Sequence, residues 1–123
     1  MTQIDLTSPE GCEAELQRCS RGLATLTEQH TQTTFTLADQ EEQYERVLAI
    51  VAKTIRQESD AKLTAAEVNA RITDLIIEDP DLAQVRENVN ELRAEKETLE
   101  RRLRTLEKRQ GSAQSTLRRH TES

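Results

Sequence analysis

The sequence predicts an all-α protein, an elongated antiparallel coiled-coil helical hairpin with a short connecting helix, assembled as an oligomer. Two observations carry that prediction. Leu82, Val85, Val89, Leu92, Lys96, Leu99, Leu103, Leu106, Gln110, Ala113 and Leu117 follow one another in alternating steps of three and four without a slip. Apolar side chains returning every 3.5 residues or so form one narrow stripe of a helix, and only another helix buries such a stripe. The 82–117 segment therefore requires a partner, supplied by the rest of the chain or by another copy. The second observation is composition. Of 123 residues, 34% are hydrophobic, 2% aromatic and 33% charged, which suits long helices and leaves too little aromatic bulk for a wide globular core.

The elements follow in chain order. Residues 1–8 read as an N-terminal tail, and residues 9–110 as a single helical coiled-coil unit. Ser8-Pro9-Glu10 combines a capping hydroxyl, a proline where no donor is needed and a carboxylate in the first turn, so a long helix starts there. Cys12, Leu16, Cys19, Leu23 and Leu26 form its seam, which turns polar at His30 and Thr33 and resumes at Leu37, Tyr44, Val47, Val51 and Ile55. The helix is expected over about 9–58, with a weak spot or break in the threonine-rich stretch 31–36, where β-branched side chains lose rotamer freedom. Thr64 and Glu67 have capping-box spacing, with Leu63 and Val68 placed as a hydrophobic staple. A short helix over about 65–77 should bury Val68, Ile72, Leu75 and Ile76. Asp79-Pro80-Asp81 then ends that helix and starts a second long one, about 81–110. Glu97 with Arg101 and Glu100 with Arg104 are spaced to pair along it. Lys108 and Arg109 suit its end and Gly111-Ser112 its stop, leaving 111–123 as a basic C-terminal tail in which the stretch from Ala113 either continues the seam through Leu117 or frays. Lys96 interrupts the apolar column and restricts register or oligomer state.

Charge is unevenly distributed. Residues 1–62 hold six Lys/Arg against eleven Asp/Glu, residues 63–91 two against seven, and residues 92–123 nine against five. The last segment concentrates Arg101, Arg102, Arg104, Lys108, Arg109, Arg118 and Arg119 into a basic ridge, the candidate nucleic-acid-binding residues. Phosphate attraction needs a cation-rich surface for its sequence-independent part. A solvated or internally paired charged face is the alternative. Phe35 and Tyr44 are the sole candidates for base stacking.

Catalytic residues are not expected: there is no glycine-rich phosphate loop, no paired-cysteine motif and no Ser/His/Asp constellation. No cofactor or small-molecule substrate is expected either. Cys12 and Cys19, seven apart and so about 10 Å apart along a helix, cannot bond to each other within it, and they read as small buried hydrophobes. A metal site built from Cys12, Cys19 and His30 would require chains to meet there. The carboxylates at 78–81 are explained by capping rather than by a calcium loop. His30 reads as a polar notch in the seam and His120 as a solvated side chain. The longest apolar run, 47–52, falls well short of the roughly 18 residues a membrane helix needs, and the first residues lack a signal-peptide pattern, so a cytoplasmic location is expected.

The order of features is an N-terminal helix with a mid-chain tyrosine (Tyr44), a polar connection, Lys62-Leu63-Thr64-Ala65-Ala66-Glu67-Val68, the Asp79-Pro80-Asp81 junction, the Leu-rich Glu/Arg helix, and Ala113-Gln114-Ser115-Thr116-Leu117-Arg118. Over roughly residues 40–119 this layout resembles small phage-encoded recombination accessory proteins of the UvsY mediator type. The resemblance implies a helical homo-oligomer that binds single-stranded DNA and helps load a recombinase onto DNA covered by single-strand-binding protein. It carries over no individually defined site. The competing expectation is a coiled-coil scaffold, chaperone or inhibitor of a host protein with no nucleic-acid role.

Overall fold

The computed structural model describes residues 6–122. Three helices account for nearly all of them, α1 (Pro9–Glu58), α2 (Ala65–Glu78) and α3 (Pro80–Glu122), and there is no strand among the described residues. Two of the three helices are long. Of the expected 1–8 tail, residues 1–5 lie outside the described residues, as does Ser123 of the expected C-terminal tail.

The chain divides into two compact units. The first takes residues up to Gln32 together with those from Lys96 onward, and the second is Thr33–Glu95. In the first unit α1 and α3 run antiparallel, as three contacts show. His120 Nε2 lies 3.3 Å from the Leu6 carbonyl oxygen, Gly22 backs onto Leu106, and His30 Nε2 lies 3.2 Å from Glu100 Oε1. Numbers rise on one helix as they fall on the other. The core of this unit is the expected seam: Cys12, Cys19, Leu99 and Ala113 are buried, with Leu16, Leu23, Leu26, Leu103, Leu106 and Leu117 half-buried. The cysteines are thus packing residues, their thiols directed to the Leu6 carbonyl at 3.7 Å and the Glu15 carboxylate at 3.5 Å.

The second unit buries Leu37 and Ile55 of α1, Val68 of α2, and Leu82 and Val89 of α3. Each fully covered aliphatic side chain of this kind contributes roughly 1.5–3 kcal/mol. α2 presents the aliphatic face foreseen for it, with Ile72, Leu75 and Ile76 half-buried beside Val68. Its start is capped by Thr64, whose hydroxyl accepts from the Glu67 N–H at 3.2 Å and donates to the Glu67 carboxylate at 3.1 Å. Asp79 serves two helices: its N–H closes α2 on the Leu75 carbonyl, while its carboxylate accepts from the Asp81 N–H at 2.9 Å and so caps α3. Ser8 does the same for α1 by accepting from the Gly11 N–H at 3.0 Å. Arg93 of α3 meets Glu41 of α1 at 3.6 Å.

Three expectations are corrected. The break at 31–36 does not occur, because α1 runs through it. Thr31 bonds back to the Thr27 carbonyl at 2.9 Å, and Thr33 and Leu37 are buried seam residues, so tertiary burial outweighs the weak helix preference of threonine. The stop at Gly111-Ser112 is also absent: α3 continues to Glu122. Ala113 is fully buried, Leu117 half-buried, and His120 reaches Leu6 rather than standing in solvent. Burying that last stretch of seam offsets the penalty of about 1 kcal/mol for an interior helical glycine. Finally, Glu97 and Arg101 do not form an ion pair, and Glu100 turns to His30 instead of Arg104.

Gly22 and Gly111, both inside helices, separate close approach from simple tolerance. A Cβ on Gly22 would stand 2.8 Å from Leu106 Cδ1, whereas one on Gly111 would meet nothing within 4 Å. Gly111→Ala is therefore predicted to stabilise the protein by about 0.5–1 kcal/mol, and Gly22→Ala to gain less because Leu106 must move aside. Denaturant midpoints of both variants check this; an equal or larger gain for Gly22→Ala would contradict the packing described.

Candidate nucleic-acid interface

The structural division concentrates the acidic excess in one unit and leaves the other slightly basic. Among its described residues the first unit carries ten Lys/Arg and eight Asp/Glu, while Thr33–Glu95 carries seven and fourteen. All seven ridge residues belong to the first unit, on α3, and all are exposed. Their helix keeps Leu99, Leu103, Leu106 and Ala113 against α1, which leaves the charged positions outward.

The ridge is not one surface. Arg101, Arg102 and Arg109 line a concavity of about 400 Å³ together with Thr98, Thr105, Leu106 and Leu26. Lys108 and Arg109 line a second one of about 280 Å³ with Leu6, Glu15, Thr105 and Ser112. Arg118 lines a third with Leu16, Gln114, Leu117 and Thr121, and Arg104 lines none of these. The structure thus brings Arg101, Arg102, Lys108 and Arg109 together through two neighbouring hollows that share Thr105 and Arg109. Arg104 and Arg118 are set apart from them. Arg101, Arg102, Arg104, Lys108, Arg109 and Arg118 make no ion pair with any described residue. Internal pairing, the alternative reading of the ridge, does not consume these charges.

The first concavity is lined by the three arginines together with the aliphatic side chains of Leu26 and Leu106. Guanidinium forks bind phosphate oxygens and lie flat on planar bases, and the leucines offer a surface to a sugar or base edge. Phe35 and Tyr44 belong to the second unit, so the concavity has no aromatic platform of its own.

Sequence reasoning missed Glu15. Its side chain is buried, it receives the Cys19 thiol, and it lies 3.9 Å from Arg18. Burying a carboxylate requires nearby positive charge or hydrogen bonds, and Lys108 and Arg109 line the same hollow. The signal was present in the spacing Cys12-Glu15-Cys19, itself a three-four step of the seam. Burial first, then the Glu15 hydrogen bond and charge, raise the Cys19 thiol above its ordinary 9.0, with Arg109 and Arg18 opposing. Cys19 is accordingly a packing thiol and a poor nucleophile. Among the described residues, no three of His, Cys, Asp and Glu gather where they would hold a metal ion.

His30 fills the polar notch by bonding Glu100 across α1 and α3. That hydrogen bond is the main cause holding the Glu100 carboxyl below its ordinary 4.5, burial opposes it, and the positive charges of Lys96, His30 and Arg104 assist. Lys96, half-buried at its seam position, thus has an electrostatic partner one turn away. A carboxylate whose pKa is lowered on folding stabilises the fold above its unfolded value, and that contribution disappears as pH falls through the folded value. Glu100→Gln is predicted to be less stable than the native chain above pH 4.5, with the difference closing on further acidification. Unfolding curves across that range check it; a pH-independent difference would contradict the assignment.

No protein-family model, no curated protein and no solved structure matches the chain.

Proposed function

We propose that the chain is a non-enzymatic, self-associating coiled-coil hairpin that acts as a phage-type recombination accessory. Its basic unit contacts single-stranded DNA, and its acidic unit meets a recombination protein, either a recombinase or a single-strand-binding protein. The observation that carries the DNA half is the set of six exposed cations on α3 without internal partners. Cations kept out of internal pairs remain available to exchange for the counterions that a phosphate backbone releases. The guanidinium-lined hollow over Leu26 and Leu106 supplies contact beyond charge.

The protein-binding half rests on Thr33–Glu95, with its twofold excess of acidic over basic residues and the exposed side chains of Phe35, Ile50 and Ile77. Exposed large apolar side chains on a unit with an acidic excess suit a basic, partly apolar protein surface better than a nucleic acid. No helix among the described residues is long and apolar enough to cross a membrane.

The test is binding of a labelled oligothymidylate over a salt series. Affinity should fall steeply with salt, each phosphate contact adding about 0.7 to the logarithmic slope for a single strand. Arg104→Gln, which touches neither concavity, should weaken binding at low salt and reduce the slope by about 0.7. Absence of binding at low salt by well-folded protein would overturn the DNA half and leave a scaffold, chaperone or inhibitor that works through proteins alone.

A further inference from the structure

The larger of the two neighbouring hollows lies wholly within the first unit, and its cations are unevenly placed along it. Thr98, Arg101, Arg102, Thr105, Leu106 and Arg109 line it from α3, and Leu26 lines it from α1. The α3 residues recur at spacings of three, four and seven, which keeps them on one side of the helix. Arg101 and Arg102 are adjacent, and Arg109 follows two turns after Arg102, about 10 Å further along the axis. Leu106 comes between, four residues after Arg102 and three before Arg109. All three arginines are exposed, and none makes an ion pair with a described residue. No described carboxylate lines this hollow, whereas Glu15 lines its neighbour together with Lys108 and Arg109.

We propose that this hollow receives the end of a strand, holding a terminal phosphomonoester rather than an internal phosphodiester. The proposal rests on the reading of the basic unit as DNA-binding and names the part of the strand that this hollow takes. A phosphodiester carries a single negative charge. A phosphomonoester carries about −1.5 to −2 near pH 7 and offers three acceptor oxygens. Two guanidinium forks from adjacent residues supply the charge and the paired donors that such a group accepts. The single charge of Arg109 then matches the first internal phosphodiester, and Leu26 and Leu106 take the apolar edge of the terminal sugar or base. An internal stretch of strand presents the same single charge at every step, so nothing in it matches the paired arginines better than the lone one. A strand end accounts for the two-to-one arrangement. A free nucleotide carries the same phosphomonoester but has no following phosphodiester for Arg109.

Binding of short oligothymidylates to the native chain at low salt tests the proposal, with strands that end in a 5′-phosphate, in a 3′-phosphate, or in hydroxyls at both ends. A hydroxyl-ended strand one nucleotide longer has as many phosphates as the phosphorylated strands and serves as the reference. At least one phosphorylated strand should bind about tenfold more tightly than that reference, the gap that one added charge-assisted contact supplies. Replacing both arginines of the pair (Arg101→Gln, Arg102→Gln) should remove the preference, whereas Arg104→Gln should weaken all strands alike and keep it. Thymidine monophosphate should compete far less well than the phosphorylated strand. The strand comparison uses the native chain throughout, so it stands even if a variant loses its helical signal. Equal affinity for phosphorylated and reference strands would overturn the proposal and leave general strand binding intact, whereas no binding of any strand would overturn both. A preference that survives the loss of both arginines would also overturn it, as would monophosphate competing as well as the phosphorylated strand, which would make a free nucleotide the ligand.

Discussion

Leu82, Val89, Leu99 and Ala113 on one helix and Cys12, Cys19, Leu37 and Ile55 on another can leave water only by covering each other. That mutual burial is the constraint on which the rest of the molecule depends. With so few aromatic residues, stability has to come from many modest contacts along a narrow seam, so the helices must be long to accumulate enough buried area. The same need explains why threonines at 31–36 and glycine at 111 do not interrupt their helices. Each lies within or beside a stretch whose neighbours are committed to the seam, and a local preference worth a fraction of a kcal/mol to about one does not overcome the loss of those contacts.

Closing the seam within one chain also decides what remains for function. Once α1 covers the a and d positions of α3, the outward positions are polar or charged, and acidic residues outnumber basic ones in the Thr33–Glu95 unit while basic residues are slightly ahead in the other. The few cross-helix polar contacts, His30 with Glu100 and Arg93 with Glu41, flank the seam and use carboxylates that neighbouring arginines would otherwise neutralise. Glu100 is the clearest case: by bonding His30 it leaves Arg104 without an ion pair. Arginines exposed without internal partners are the feature on which the strand-binding proposal stands.

Much of the fold was legible because its signals are local or strictly periodic. The seam of α3, the Thr64 cap, the double role of Asp79 and the Ser8 start each rest on residues within a few positions of one another, and each has the partners that its spacing implies. The errors arose where local preference competed with contacts distant in sequence. Gly111-Ser112 carries a stop signal, yet Ala113 and Leu117 have a partner near the other end of the chain. His120 looked solvated because Leu6 is 114 residues away. For the site, heptad spacing set Arg101 and Lys108 opposite the seam, Arg104 and Arg118 beside them and Arg102 and Arg109 flanking the core, and all six are exposed. It did not foresee that Arg101, Arg102 and Arg109 share a hollow with Leu26, or that Glu15 is buried beside Lys108 and Arg109, because both depend on the register between two helices.

The most direct test of in-chain seam closure is thermal unfolding of the native protein, followed by its helical signal over a wide dilution series at high salt. High salt screens contacts between exposed charges and leaves apolar burial intact. If α1 and α3 of one chain cover each other, the melting temperature will not change with concentration. A melting temperature that falls steadily on dilution would mean that the seam is closed by another copy, and would contradict the account.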